Sequence, residues 1–285
     1  MKYTTVKNGA TVTVFAPYDC NNHCPFCVNK MDYQINPVFD LENVLRSMWR
    51  MDGITPLCDF VFTGGEPLAD LGMLDRMFKA VREMNEKGSH HRLFVNTTFP
   101  VKSHDDVIYL NGNRDIITGF NVSRHIYPFV EECWDNYFSY VQIPIRINCV
   151  LTTAKEAEKG PDLIERFKRF RSIYGFQFRD NYTGVNETNL FDQDTNERLK
   201  ALLKAFGVKK YGFTSDRFRW SAILQETPLI SFHRTQCMSK GVDAKGNVFI
   251  GDIIVDPRGN IMDDWNEYGS PLDVEKYAAI FKKKK

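Results

Sequence analysis

The sequence has no long apolar run, so it offers no segment suited to spanning a membrane. Its first five residues lack the apolar core of a signal peptide. Neither sign of charge dominates, because 37 Lys and Arg stand against 36 Asp and Glu, which gives a formal net charge of +1. This balance argues against a broad nucleic-acid footprint without excluding a local basic patch. We therefore expect a cytoplasmic protein with no membrane partner and no bulk binding of nucleic acid.

A disulfide framework is also missing, and so is a fourth clustered cysteine. Of seven cysteines, only Cys20, Cys24 and Cys27 lie close together, in a C-x3-C-x2-C pattern. In a reducing compartment such cysteines are thiols or metal ligands. Iron–sulfur cubanes are normally held by four cysteine thiolates. A loop that supplies three leaves one iron without a protein ligand, and an open iron can bind a small molecule.

The position of this cysteine loop supports a ligand-binding role. Residues 11–16 are predicted to form a strand and Pro17 ends it, so the loop follows a strand end, where ligands commonly bind in α/β folds. A zinc site with His23 or a distant cysteine as fourth ligand is an alternative. That alternative leaves a second motif unexplained, Gly64-Gly65-Glu66 at the end of the next predicted strand.

Together the two motifs resemble the radical S-adenosylmethionine (SAM) superfamily. The cysteine pattern follows a first strand and has an aromatic residue, Phe26, before its last cysteine. Gly64-Gly65-Glu66 looks like the GGE motif that ends strand two in that superfamily. The resemblance covers about residues 10–225. It implies a partial (β/α)6 barrel, a [4Fe-4S] cluster on Cys20, Cys24 and Cys27, and SAM chelated to the open iron.

The same resemblance implies the chemistry and its partners. An electron from the reduced cluster would cleave SAM into methionine and a 5′-deoxyadenosyl radical, which abstracts hydrogen from a substrate. Such an enzyme is oxygen-sensitive and needs an electron donor such as flavodoxin or ferredoxin. The cofactor carries the reaction, and the protein positions it and excludes competing reactions.

Several residues match cofactor-binding positions of the superfamily. Phe26 is expected near adenine, with packing beneath the loop as the alternative. Gly64, Gly65 and Glu66 are expected to receive the SAM ammonium group, since a carboxylate and exposed carbonyls accept its hydrogen bonds. At the end of a later strand, Ser123 and Arg124 fit ligands of the ribose and the carboxylate.

Other polar residues lie in predicted strands or in the C-terminal segment. Asn96, Asn148 and Arg179 are candidate cofactor contacts, although a structural hydrogen bond explains each of them equally well. His125 is either a catalytic acid or base or a capped surface histidine. Cys237, in a polar context, is a candidate catalytic thiol, and simple packing is the alternative.

Hydrophobic periodicity predicts strands and helices in alternation, which favours a parallel sheet with outer helices. The predicted strands are 11–16, 58–63, 92–96, 116–123, 143–151 and 176–180. The predicted helices are 39–51, 68–86, 128–140, 154–172 and 196–206, with a short helix or turn at 105–110. We therefore expect residues 1–224 to form the partial barrel. Residues 225–285 are predicted to be a small hairpin-rich extension that packs on the barrel, closes one open side and acts as a lid.

The sequence does not identify the substrate, because neither the fold nor the cofactor fixes what is attacked. A small metabolite or nucleotide is the first expectation. Modification of a peptide or protein side chain, including glycyl-radical activation of a partner enzyme, comes second. A non-enzymatic zinc or iron–sulfur binding protein is the remaining alternative.

Overall fold

The structure of the protein is a computed structural model that describes most of the chain. The described residues are 3–5, 11–20, 22, 24–27, 29, 38–55, 57–127, 135–180, 193–215, 219–235, 240–242, 245–265 and 269–282. Within these segments, no helix is both long enough and apolar enough to cross a membrane.

Most of the strands join one large sheet. The strands are β1 (Tyr3–Thr5), β2 (Thr11–Ala16), β3 (Asp59–Gly64), β4 (Arg92–Thr97), β5 (Ile117–Ser123), β6 (Ile145–Leu151), β7 (Ile173–Asp180), β8 (Gly212–Ser215), β9 (Arg219–Gln225), β10 (Leu229–Thr235), β11 (Lys240–Val242), β12 (Val248–Ile250), β13 (Asp252–Val255) and β14 (Ile261–Met262).

The large sheet has the strand order β14-β13-β2-β3-β4-β5-β6-β7-β10-β9-β8. From β13 through β2–β7 to β10, every strand is parallel to its neighbours, whereas β14, β9 and β8 are antiparallel additions at the two ends. The six predicted strands are β2 to β7, so the predicted α/β fold with a mostly parallel sheet is confirmed. A separate sheet has the order β1-β12-β11.

In the described residues, helices lie between most of the successive parallel strands, and a final helix follows the last strand. They are α1 (Leu41–Asp52), α2 (Leu71–Glu86), α3 (His104–Gly112), α4 (Ala154–Ala157), α5 (Gly160–Phe167), α6 (Gln193–Ala205) and α7 (Val274–Lys282), with 3-10 turns at Pro67–Ala69 and Asp135–Ser139. The predicted helix 154–172 is divided into α4 and α5, because Pro161 starts a new helix and has no N–H for an earlier one. Of the predicted helix 128–140, residues 128–134 lie outside the described residues and residues 135–139 form a 3-10 turn.

The two faces of the parallel sheet differ in chemistry. Side chains alternate between faces along a strand, so strand register assigns each residue to one face. The outer face packs against the helices and is apolar, with Val12, Val14, Phe60, Phe62, Val95, Phe120, Val122, Ile147, Phe176, Phe178 and Phe232 in the core. The opposite face, called the inner face below, carries Thr63, Asn96, Asn121, Ser123, Arg146, Asn148, Gln177, Arg179, Ser231 and His233. Parallel strands buried by apolar packing on both faces are hydrophobic almost throughout. The inner face is therefore suited to polar ligands.

The C-terminal segment is part of the large sheet. Strand β10 pairs with β7, and β13 pairs with β2, so residues from beyond the predicted boundary at 224/225 extend both sides of the barrel sheet. Two short strands follow each other closely here, with β12 in the small sheet and β13 in the large one. The segment therefore supports β2, which leads into the cysteine loop, in addition to any role as a lid.

A tight turn fastens this segment to α1. The side chain of Asp256 accepts hydrogen bonds from the backbone N–H groups of Arg258 and Asn260, and Ser47 Oγ donates to the Gly259 carbonyl at 2.5 Å. Gly259 has φ of 82°, and a Cβ at this position would lie 2.4 Å from the carbonyl carbon of Asn43. Glycine is thus required both by conformation and by close approach.

Replacing Gly259 by Ala is expected to lower the free energy of unfolding by about 2–3 kcal/mol, because overpacking adds to the cost of the left-handed conformation. Gly246→Ala is the matched control, since Gly246 has φ of 76° but no atom within 4 Å of the added Cβ. It should cost about 1 kcal/mol. Urea unfolding of the two variants measures the difference, and equal losses would contradict the proposed contact with α1.

Candidate functional site

The cysteine loop begins at a close contact between the ends of β2 and β3. A Cβ on Gly65 would lie 2.8 Å from Tyr18 Cα and 2.9 Å from Asp19 N, so only glycine allows this approach. Gly64 has φ of 131°, a conformation that favours glycine. The two glycines of the predicted GGE motif are therefore needed to place the start of the loop.

The loop is also tied to β3 further along. Asn29 Nδ2 donates to the Gly64 carbonyl at 2.7 Å and to Thr63 Oγ1 at 3.3 Å. The N–H of Cys27 donates to the Cys24 carbonyl at 3.2 Å, which turns the chain between the last two cysteines. These contacts keep the loop at the carboxyl end of β3.

All three loop cysteines are partly buried free thiols. Burial raises the pKa of Cys20, and the negative charges of Glu66 and Cys27 add to this, whereas hydrogen bonds from Asn22 oppose it. Binding a metal to such thiols would release protons. Within the described residues, no three His, Cys, Asp or Glu side chains are grouped to hold a single metal ion. A cubane does not require three side chains to meet at one ion, since each cysteine binds a separate iron atom.

Phe26 links the cysteine loop to the carboxyl ends of β5 and β6 through His125. Its ring meets the ring of His125 edge to face, with 5.0 Å between centroids. His125 directly follows β5, and its Nδ1 accepts a hydrogen bond from the Val150 N–H of β6 at 3.3 Å. Burial lowers the pKa of His125 to about 4. His125 is thus buried and neutral at pH 7, and it is not a surface histidine.

Glu66 joins the ends of β3 and β4. One carboxylate oxygen accepts from the Leu68 N–H at 3.0 Å and from the Thr97 hydroxyl, and the other accepts from the N–H and the hydroxyl of Thr98, both at 2.7 Å. Burial raises the pKa of Glu66, and these hydrogen bonds oppose the increase. A carboxylate has about four acceptor sites, and donors from the chain occupy four. Binding of the SAM ammonium group by Glu66 stays a prediction. The hydrogen bonds also give Glu66 a structural role at the ends of β3 and β4.

Polar side chains form rows across the inner face. Asn121 Nδ2 donates to Asn96 Oδ1 at 2.8 Å, so Asn96 has the structural hydrogen bond that was one of its two interpretations. In the next row, Ser123 on β5 is paired with Asn148 on β6, and Asn148 with Gln177 on β7. Among the described residues, no hydrogen-bond partner reaches the buried Oδ1 of Asn148, which is only 9% exposed. This atom therefore fits a donor from a ligand.

Arg124 lies on the other face of the sheet. It follows Ser123 directly, so its side chain points toward the outer layer, where it is 2% exposed. Its guanidinium pairs with Asp135 at 3.1 Å, donates to the Thr98 carbonyl at 2.5 Å and lies over the Phe138 ring. The predicted contact between Arg124 and the SAM carboxylate stays a prediction, while these contacts hold the ends of β4 and β5 in place.

Of the remaining predicted residues, one lies on the inner face and two lie outside the described residues. Arg179 lies on the inner face, paired in register with His233 of β10. Cys237 and His23 lie outside the described residues, so the structure does not test them. Residues that sequence reasoning missed include Gln177 and Ser231, although single polar residues between apolar neighbours in Phe176–Phe178 and Ile230–Phe232 were a usable signal.

No protein-family model matches the sequence, and no curated protein matches it. Solved structures do match. A structure titled native anSMEcpe with bound AdoMet and Kp18Cys peptide is 21% identical, covers 68% of this chain and has a TM-score of 0.50. This chain spans 59% of the length of that protein.

Two structures of SuiB from Streptococcus suis match over more of the chain. The one bound to S-adenosylmethionine is 16% identical, with 88% of this chain and 59% of that chain covered and a TM-score of 0.52. The one bound to precursor peptide SuiA is 13% identical, with 94% and 64% covered and a TM-score of 0.51. At these identities the likeness concerns the fold. The chain has the partial barrel fold of radical SAM enzymes.

Replacing Glu66 by Gln is expected to lower the free energy of unfolding of the cofactor-free chain by about 1–3 kcal/mol. The reason is that the NH2 group of Gln would face N–H and hydroxyl donors that now bind the carboxylate. Glu42→Gln is the control, since Glu42 is exposed and pairs with the exposed Arg76. Urea unfolding of the chain without cofactors measures both. Unchanged stability for Glu66→Gln would mean that the four hydrogen bonds are not formed.

The lowered pKa of His125 predicts that the stability of the protein depends on pH. The unfolded chain binds a proton at His125 below pH 6.5, whereas the folded chain does so only near pH 4, so acid favours unfolding between these values. From pH 7 to pH 5 this term should remove about 2 kcal/mol. The His125→Gln variant should lose that part of the dependence, and the exposed His90→Gln should keep it. Identical profiles for the wild type and His125→Gln would refute a buried neutral His125.

Proposed function

We propose that the protein is a radical SAM enzyme with a [4Fe-4S] cluster on Cys20, Cys24 and Cys27 and with SAM at the carboxyl end of the barrel. The observation that carries the proposal is the course of the cysteine loop. It leaves the end of β2, packs on Gly65 at the end of β3 and meets His125 at the end of β5 through Phe26. The loop thus lies over the end of a sheet whose inner face is polar.

The donor set fits these cofactors. Three thiols on one loop match a cluster with one open iron. The carbonyl of Gly64 has a second lone pair besides the one used by Asn29, which suits an ammonium group. On the inner face, the unpartnered Oδ1 of Asn148 suits a hydroxyl or amino donor, and Ser123 lies beside it in register.

When bound, the cluster and SAM supply reductive cleavage of the SAM S–C5′ bond and a 5′-deoxyadenosyl radical. The chain's own residues position the loop and shield the site from water. Phe26 and His125 pack together and exclude water between the loop and β5, and Gly64 and Gly65 fix where the loop starts. The inner face would hold the substrate beneath the loop. Electron supply from a donor such as flavodoxin or ferredoxin, oxygen sensitivity and a cytoplasmic location belong to the same proposal.

We place a peptide or protein side chain first among substrates. Support comes from two of the matching structures, which are complexes with the peptides Kp18Cys and SuiA. A small metabolite or nucleotide, the first expectation from the sequence, is the second candidate. The uncharged polar row of Ser123, Asn148 and Gln177 suits either kind of substrate, because such side chains can bind hydroxyl and amino groups.

Anoxic reconstitution should load about four iron and four sulfide ions per chain, as a cubane requires. Reduction in the presence of SAM should then give 5′-deoxyadenosine. Cys24→Ala should lose both the cluster and the product, whereas Cys149→Ala, which removes a buried thiol of β6, should keep both. Zinc binding without a cluster or 5′-deoxyadenosine would overturn the proposal and favour the zinc-site alternative.

The substrate class is tested by following deuterium. Deuterated peptides and deuterated small metabolites are offered to the reconstituted enzyme, and 5′-deoxyadenosine is analysed by mass spectrometry. We expect deuterium transfer from a peptide. Transfer from a metabolite and from none of the peptides would reverse the ranking of substrates and leave the proposed class intact.

A further inference from the structure

A second cluster of reactive side chains lies at the opposite end of the barrel sheet, before β3 and β4. The Sγ of Cys58 is 3.3 Å from His91 Nδ1, and His91 Nε2 is 2.7 Å from Asp52 Oδ1. Ser89 Oγ donates to the same carboxylate oxygen at 2.5 Å. Cys58 and His91 are 7% and 5% exposed. We refer to Cys58, His91 and Asp52 as the basal thiol site.

The hydrogen bonds fix the tautomer of His91. The backbone N–H of Cys58 donates to His91 Nδ1 at 3.3 Å, so Nδ1 is an acceptor. The proton of the neutral ring is then on Nε2, where it is donated to Asp52. A thiol next to an acceptor nitrogen, on a ring oriented by a carboxylate, is the arrangement of nucleophile, base and orienting group found in thiol catalysis.

Helix α7 contributes Tyr277 to the buried cluster that contains Cys58. Tyr277 of α7 is fully buried, its ring packs edge to face on Tyr3, and burial together with the charge of Cys58 raises the pKa of Tyr277. Among the described residues, no partner reaches the Tyr277 hydroxyl. A buried hydroxyl without a partner costs about 1–3 kcal/mol, so it weakens the docking of α7. The outer contact of the helix, Arg50 with Glu275 at 3.6 Å, is exposed and adds little.

We propose that the basal thiol site is a redox-modification site that opens when α7 lifts, and that Cys58 then reacts with low-molecular-weight disulfides. His91 takes the thiol proton as the Cys58 sulfur attacks one sulfur of the disulfide. A new S–S bond forms at Cys58, the bond in the small disulfide breaks, and the departing thiolate takes the proton from His91. Cys58 is oxidised and the released thiol is reduced, so no other reactant is needed.

Docking of α7 and modification of Cys58 exclude each other. In the closed structure, burial raises the pKa of Cys58 to about 12, so the thiol is unreactive. Cys58 and Tyr277 belong to the same buried core cluster, so a mixed disulfide at Cys58 would displace packed side chains. Modification therefore holds α7 away from the barrel, and removal of the adduct by a thiol restores docking. This inference does not depend on the proposed cluster chemistry.

The test uses the full chain, reconstituted and kept anoxic, with glutathione disulfide as the probe and mass spectrometry of the Cys58 peptide as the readout. Tyr277→Ala removes the buried ring and should raise the rate of modification about tenfold or more. Tyr277→Phe keeps the ring and removes the unpartnered hydroxyl, so it should react more slowly than the wild type. A wild-type rate for Tyr277→Ala would overturn the proposal.

A second variant separates a base-assisted thiol from one that is merely exposed. The titratable groups near Cys58 are Asp52, Asp59, His91 and Tyr277, and the side chain of Thr55 also hydrogen-bonds the Cys58 thiol. In the Tyr277→Ala background, His91→Gln should lower the rate at neutral pH about 100-fold, and the difference should disappear at alkaline pH, where hydroxide removes the thiol proton. Equal rates at all pH values would refute the role of His91.

Should Tyr277→Ala fail to fold, wild-type protein in increasing low urea replaces it. Cys58 should become modified at a lower urea concentration than that at which far-ultraviolet circular dichroism reports global unfolding. Modification that begins only with global unfolding would overturn the proposal.

Discussion

The close approach of two backbone segments at the carboxyl ends of β2 and β3 is the constraint on which the candidate site depends. Gly65 leaves no space for a Cβ beside Tyr18 and Asp19, and the backbone of Gly64 adopts a conformation that side chains disfavour. Glu66 then fixes the end of β4 through hydrogen bonds to Thr97 and Thr98. The course of the cysteine loop is thus set by backbone sterics and hydrogen bonds before any metal binds.

The second determinant is the unequal chemistry of the two sheet faces. An apolar outer face supplies the core, and aromatic residues such as Phe120 and Phe178 are fully buried there. The inner face instead keeps polar groups that gain little from folding, and the Asn148 Oδ1 that lacks a described partner is the clearest case. Burial of such an atom costs about 1–3 kcal/mol, which a bound ligand with a suitable donor would offset. Without a ligand, this atom therefore lowers the stability of the fold.

Much of the fold could be predicted from the sequence because its signals are local. The strands β2 to β7, the ends marked by Pro17 and Gly64, and the position of the cysteine loop all follow from periodicity and from turn residues. The position of Arg124 on the outer face also follows from strict alternation with Ser123. Long-range pairing could not be predicted. The parallel pairing of β13 with β2 joins residues far apart in sequence, and the four hydrogen bonds of Glu66 depend on the register of β3 and β4.

The central claim is that the loop of Cys20, Cys24 and Cys27 holds a cluster with one iron open to SAM. The most direct measurement is the electron paramagnetic resonance spectrum of the reduced, reconstituted protein with and without SAM. Chelation of the open iron changes its ligands, so the account predicts a cluster spectrum that shifts when SAM is added. A protein without a cluster spectrum, or a spectrum that SAM leaves unchanged, would contradict the account.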